Sequence, residues 1–130
     1  SGTVTVRVPS DNLVAIATPG EGPSVADLAT QLRAALRAPV NSPPFATLLN
    51  GAQRLLLLVD DLTRPTPVHK ILPVLLDELR VEQREIEVTI LSALGTHRKM
   101  TRAEIRTRVG SEVAAAYPVL NHEWDDPDAL

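Results

Sequence analysis

Apolar residues recur along this chain with two different periods. Val4, Val6 and Val8 alternate with Thr5 and Arg7, the spacing of a half-buried strand. Leu13 to Ala17 predicts a second short strand, and Pro19 to Pro23, with its two glycines, a loop. Ser24 is then placed to cap a helix, with Asp27 three residues later as the reciprocal acid. Val25, Leu28, Leu32, Ala35 and Leu36 fall on one helical stripe that ends near Arg37. Pro39 to Pro44 reads as a proline-rich connector, and Phe45 to Leu49 as one or two helical turns.

The middle of the chain is more strongly patterned. Leu55 to Val59 is a continuous apolar run, too short for a typical helix, that stops at Asp60-Asp61. Such a run predicts a central parallel strand buried on both faces. Val68, Ile71, Leu72, Leu75, Leu76 and Leu79 follow at helical spacing, with Pro73 among them, which should kink the helix or delay its start. Ile86, Val88 and Ile90 alternate with Glu87 and Thr89 as another strand, broken by Gly95. Thr101 and Glu104 have capping-box spacing at the head of a helix that Gly110 is placed to end. A further helical piece spans Glu112 to Ala116, and Tyr117 to Leu120 reads as a third strand of the main sheet. Strand, helix, strand, helix, strand with short links predicts an α/β fold: a three-layer, Rossmann-like, mostly parallel sheet with helices on both faces.

Composition narrows the function classes. The 130 residues suit one domain, and 44% apolar content supports a core. There is no cysteine, which removes disulfides and thiolate metal sites. The net charge of −3, with both signs interspersed, points to no nucleic acid. Phe45, Tyr117 and Trp124 are the only aromatics, too few for a stacking platform. No apolar run is long enough for a bilayer, and the start lacks the pattern of a secretory signal, so a soluble, cytoplasmic protein is expected, with no membrane partner.

In an open parallel sheet, ligands collect beyond the carboxyl ends of the strands. Three polar segments meet that condition: Asp60 to Pro67, Gly95 to Arg98, and Asn121-His122. In the first, Asp61 and Arg64 can face one pocket or pair with each other, and Pro65 and Pro67 stiffen the turn. Arg64 offers a planar fork for a carboxylate or phosphate. In the second, Gly95 allows close backbone approach, and His97 is a candidate general acid or base near neutral pH. The adjacent Arg98 favours the neutral imidazole if the charges are close. His122 either lines the same cleft or sits on the surface before the acidic tail, and His69 reads as structural or exposed. No histidine pair has metal-binding spacing, so no metal ligand is assigned within this chain, and glycine-rich phosphate loops are absent.

These motifs, in order, resemble a known family. The apolar strand ending in Asp60-Asp61-Leu62-Thr63-Arg64-Pro65-Thr66-Pro67, then Ala93-Leu94-Gly95-Thr96-His97-Arg98-Lys99-Met100-Thr101 with Glu104, then Asn121-His122, looks like the N-terminal domain of lactate racemase and its relatives. The resemblance covers nearly the whole chain from Val4. It implies a 2-hydroxyacid racemase or epimerase that uses a nickel-pincer nucleotide. Asp61, Leu62, Thr63 and Arg64 would contact that cofactor, with Arg64 also near the substrate, and His97 would be one of two catalytic histidines. The implied mechanism is proton removal from the substrate hydroxyl coupled to hydride transfer to the cofactor.

Family members continue for much longer than this chain. The remainder carries the cofactor-holding lysine, a nickel-binding histidine and the second catalytic histidine, and Lys70 and Lys99 lie in the wrong motifs to replace them. Residues 1–130 are therefore expected to be the N-terminal α/β part of such an enzyme, inactive alone and without bound cofactor. The partner expected is a small-molecule 2-hydroxyacid, which the sequence does not name, with self-association through an uncovered apolar face. Two alternatives stay open: a non-catalytic α/β module binding an anionic small molecule or phosphate, and an interaction domain whose polar strand ends only cap turns.

Overall fold

A computed structural model describes residues 4–18, 20, 22, 25–81, 85–126 and 128. The elements are α1 (Leu28–Arg37), α2 (Phe45–Leu48), β1 (Arg54–Asp60), α3 (Val68–Val81), β2 (Glu87–Ala93), α4 (Arg102–Val109), α5 (Ser111–Ala116) and β3 (Val119–Asn121). The strands form one parallel sheet in the order β1-β2-β3, with Leu57 opposite Ile90 and Ile90 opposite Val119. The α/β class and the parallel sheet are as the pattern predicts.

The core lies on one face of that sheet. Val59, Val88 and Ile90 pack there against Val68, Leu72, Leu76 and Leu79 of α3, with Val109 and Val113 from α4 and α5. Ile90 and Val109 are fully buried; removing side chains of that size from water contributes roughly 1.5–3 kcal/mol each. Helix α3 runs unbroken through Pro73, so the proline does not delay its start. Its ring lies on the exposed side, where the missing N–H costs the core nothing. Helix α1 lies against α3, tied by Arg33 and Arg37 to the buried Glu78.

The leucine run differs from expectation in its place. β1 is an edge strand among the described residues, not a central one, because β2 is the strand paired on both sides. Alternate residues therefore part company: Val59 is buried, while Leu56 and Leu58 are 55% and 66% exposed. Leu120 of β3 is exposed on the same alternation. A second helical layer over that face is not among the described residues.

The two N-terminal strands predicted from Val4 to Val8 and Leu13 to Ala17 do not form. The only regular piece there is a 3-10 turn at Ser10–Asn12, and Val4, Val6 and Val14 are 83%, 75% and 100% exposed. Strand alternation needs a neighbouring ladder to become a strand, and no described segment supplies one. Pro19, Pro23 and the expected cap Ser24 lie outside the described residues. Asp27 is itself the N-cap of α1, accepting from the Ala29 amide, rather than an acid inside its first turn.

Candidate active site

Both polar loops that carry the candidate residues leave the same rim, because parallel strands end together. β1 stops at Asp60 and β2 at Ala93, and these two residues are register partners. Gly95, with φ +58°, turns the chain just past β2. A side chain added there would meet nothing, so the glycine serves the turn rather than a close approach. The turn brings His97 back over the rim, where its amide bonds the Leu94 carbonyl.

There His97 meets Asp61. Its Nδ1 lies 2.5 Å from Asp61 Oδ2. The other carboxylate oxygen accepts from the Thr63 hydroxyl at 2.6 Å and the Thr63 amide at 2.9 Å. These bonds hold the Asp61 carboxyl at a pKa of about 2, the Thr63 hydroxyl counting most and His97 next. Asp61 is thus ionised at neutral pH and can only accept, so Nδ1 of His97 is the donor. The neutral ring then keeps its lone pair on Nε2. Asp61 is 5% exposed while half of the His97 side chain is open to solvent, so the carboxylate is buried behind a reachable imidazole.

Asp61, Arg64, Thr96 and His97 line one cleft of about 290 Å³, with Asp60, Ala93, Leu94 and Gly95. That is the low end of the size of small-molecule sites. Arg64 is exposed and makes no ion pair among the described residues, so its guanidinium remains available to an anion. Leu62 and Thr63 face the other way, into a neighbouring cleft with Arg98, Met100 and Glu104, and the Asp61–His97 pair divides the two. A separate pocket between α1, α2 and α3 is walled mainly by Leu36, Phe45, Leu49 and Leu79 and holds no part of this cluster.

Of the two arrangements open to Asp61 and Arg64, they line one cleft and form no ion pair with each other. The Arg98 guanidinium binds Glu104 through 2.9 and 2.7 Å bonds. Glu104 also closes the capping box with Thr101, and its pKa falls to about 2, with Arg98 the largest cause. Asn121 clips the loop after His97, accepting from the Met100 amide and donating to its carbonyl. His122 donates its amide to the Ser92 carbonyl and does not line the cleft. His69 is exposed in the first turn of α3, as read.

Sequence reasoning missed Arg108. It is 6% exposed and donates to the carbonyls of Asp60, Arg64 and Thr66 and to the Asp60 carboxylate. It sits in a polar helix with two other arginines, Arg102 and Arg106, and its burial distinguishes it.

The chain matches the model of the lactate racemase N-terminal domain over residues 1–130. It is 30% identical over 92 residues to the lactate racemase of Thermoanaerobacterium thermosaccharolyticum, an alignment covering 71% of this chain and 22% of that protein. It is 29% identical to the lactate racemase of Lactiplantibacillus plantarum over the same length and shares. The chain thus spans about a fifth of the curated relatives it matches. The lactate racemase apoprotein structure from Thermoanaerobacterium thermosaccharolyticum superposes with a TM-score of 0.68 at 29% identity, covering 73% of this chain and 23% of that one. A Thermotoga maritima protein shares the fold, with a TM-score of 0.54 at 24% identity. With the family's domain model matched along its full length, this chain belongs to the lactate racemase N-terminal domain family.

Proposed function

We propose that this chain supplies the acid–base half of a 2-hydroxyacid racemase or epimerase site, with His97 taking the substrate's hydroxyl proton on Nε2. The observation that carries this reading is the 2.5 Å contact between His97 Nδ1 and the ionised Asp61. It keeps the free lone pair on the ring nitrogen away from Asp61, and a base must offer such a lone pair to the hydroxyl. As that proton arrives, the ring becomes cationic and the carboxylate at its back stabilises the charge. Arg64 lines the same cleft and suits the substrate carboxylate or an anionic group of a cofactor.

The donor chemistry of these residues suits the anionic part of a nickel-pincer nucleotide. Its phosphate fits Arg64 and the cleft beside the Asp61–Arg64 turn. Among the described residues no three His, Asp or Glu side chains gather as a metal-holding group, and the groups that line the cleft are suited to anions and protons. When bound, the nucleotide would supply the hydride acceptor that the α-carbon needs. His97 and Asp61 move and hold the proton, and Arg64 fixes the acid so that the hydroxyl stays within reach. The His97 imidazolium then returns its proton to the substrate oxygen, so one residue serves as base and as acid.

The experiment is expression of the complete reading frame, supply of the cofactor, and chiral analysis of 2-hydroxyacids. Loss of optical purity, abolished in His97→Ala, is expected, whereas the 130-residue chain alone is expected to give none. Retention of the full rate in His97→Ala would overturn the role of His97. Arg64, exposed and without an ion-pair partner among the described residues, also favours a second reading, a non-catalytic module for small anions. Anion binding by a complete protein without racemisation would select that reading.

A further inference from the structure

Among the described residues, every polar contact of the Arg108 side chain goes to one short stretch. Nε donates to the Asp60 carbonyl at 2.8 Å, Nη1 to the carbonyls of Arg64 and Thr66 at 3.0 and 2.9 Å, and Nη2 to the Asp60 carboxylate. That stretch contains Asp61 and Arg64. Arg108 belongs to the last turn of α4. The first turn of the same helix pins the other loop of the site: Glu104 binds Arg98, next to His97, and the amide and hydroxyl of Thr101. One eight-residue helix therefore holds the imidazole's loop at its head and the carboxylate's loop at its tail.

We propose that Arg108 is a positioning residue, setting the Asp60–Thr66 turn so that the Asp61 carboxylate meets His97 and Arg64 stays on their cleft. Its functional meaning rests on the reading of His97 as the proton acceptor. The planar guanidinium suits this task because its donors leave in fixed directions and reach four acceptors at once. A lysine ammonium is a single point with three donors and cannot copy that spread. Burial adds weight, since the Arg108 side chain is only 6% exposed and its donors need protein acceptors in place of water. The Asp61 turn has its own local bonds to Thr63. These close the turn on itself but do not fix its distance from His97; the link to α4 does.

The test uses Arg108→Lys in this chain, read by NMR of the Asp61 carboxyl carbon and the His97 ring nitrogens. The expected variant keeps the amide spectrum of β2 and α3. Its Asp61 titration moves from about 2 toward the ordinary 3.8, and the ring loses its preference for a proton on Nδ1. A folded Arg108→Lys with both signals unchanged overturns the proposal. Should that variant not fold, Asp60→Asn reads the same signals. Removing the neighbouring negative charge by itself lowers the Asp61 titration, so a rise supports the clamp, and a fall or no change sinks it. Neither measurement needs turnover. Racemisation by the complete reading frame separately judges the function, so either idea can fail while the other stands.

Discussion

His97 Nδ1 and Asp61 Oδ2, 36 residues apart in the chain, stand 2.5 Å from each other at the carboxyl rim of the sheet. The carboxylate is buried and the imidazole is half open. This order fixes which ring nitrogen carries the proton and leaves the other for chemistry.

Asp61→Asn should reverse that choice. An amide can donate to Nδ1, which moves the ring proton to Nε2 and removes the base. In the complete reading frame we expect racemisation to fall about 10²–10⁴-fold, by the logic of an orienting carboxylate. The check is the initial rate beside the ring nitrogen shifts. A tautomer change with the rate intact would remove His97 from the mechanism.

Acid should loosen the rim before it melts the core. Asp61 and Glu104 both have folded pKa values of about 2, below their ordinary 3.8 and 4.5. The stability they contribute is therefore fully present above about pH 4.5 and fades as pH falls toward 2. Urea midpoints measured from pH 6 to 2 should decline over that window. Asp61→Asn and Glu104→Gln should each flatten the decline, and a flat parent profile would count against both contacts.

Removing the hydroxyl of Thr101 tests the brace at its head. Thr101→Ala deletes one side of the α4 capping box. Cap losses of this kind cost about 0.5–2 kcal/mol. Chemical denaturation should show a drop in that range, and an unchanged midpoint would mean that Glu104 alone suffices.

Ser92 should behave in the opposite way. Its hydroxyl is fully buried with no hydrogen-bond partner among the described residues. Burying such a group without a partner costs roughly 1–3 kcal/mol. Ser92→Ala is expected to leave the thermal midpoint unchanged or raise it, and a clear loss would reveal a partner for the hydroxyl.

The exposed side of the sheet carries a proposal about association. Leu56, Leu58 and Leu120 present apolar surface beside the open edge of β1, and an unprotected apolar edge invites pairing. The 130-residue chain is expected to show concentration-dependent sedimentation that Leu58→Lys suppresses. A parent that stays monomeric at high concentration would end that idea. No helix among the described residues is long and apolar enough to cross a membrane.

The sequence by itself determined the local structure wherever patterning was strong. The strand character of the leucine run, the Ile86–Ile90 alternation, the Thr101–Glu104 box and the Gly110 stop appear as expected, because short-range propensity and periodicity act within a few residues. It also marked Asp61, Arg64 and His97, since polar residues just past apolar strands stand out. Tertiary structure alone decided the rest. Val4 to Val8 has strand periodicity but no ladder to join, and β1 is an edge because pairing partners are a property of the whole sheet. The pairing of His97 with Asp61, and the reach of Arg108 across to Asp60, depend on how parallel strands end side by side. Such contacts are set by distance in space, and separation along the chain carries no record of them.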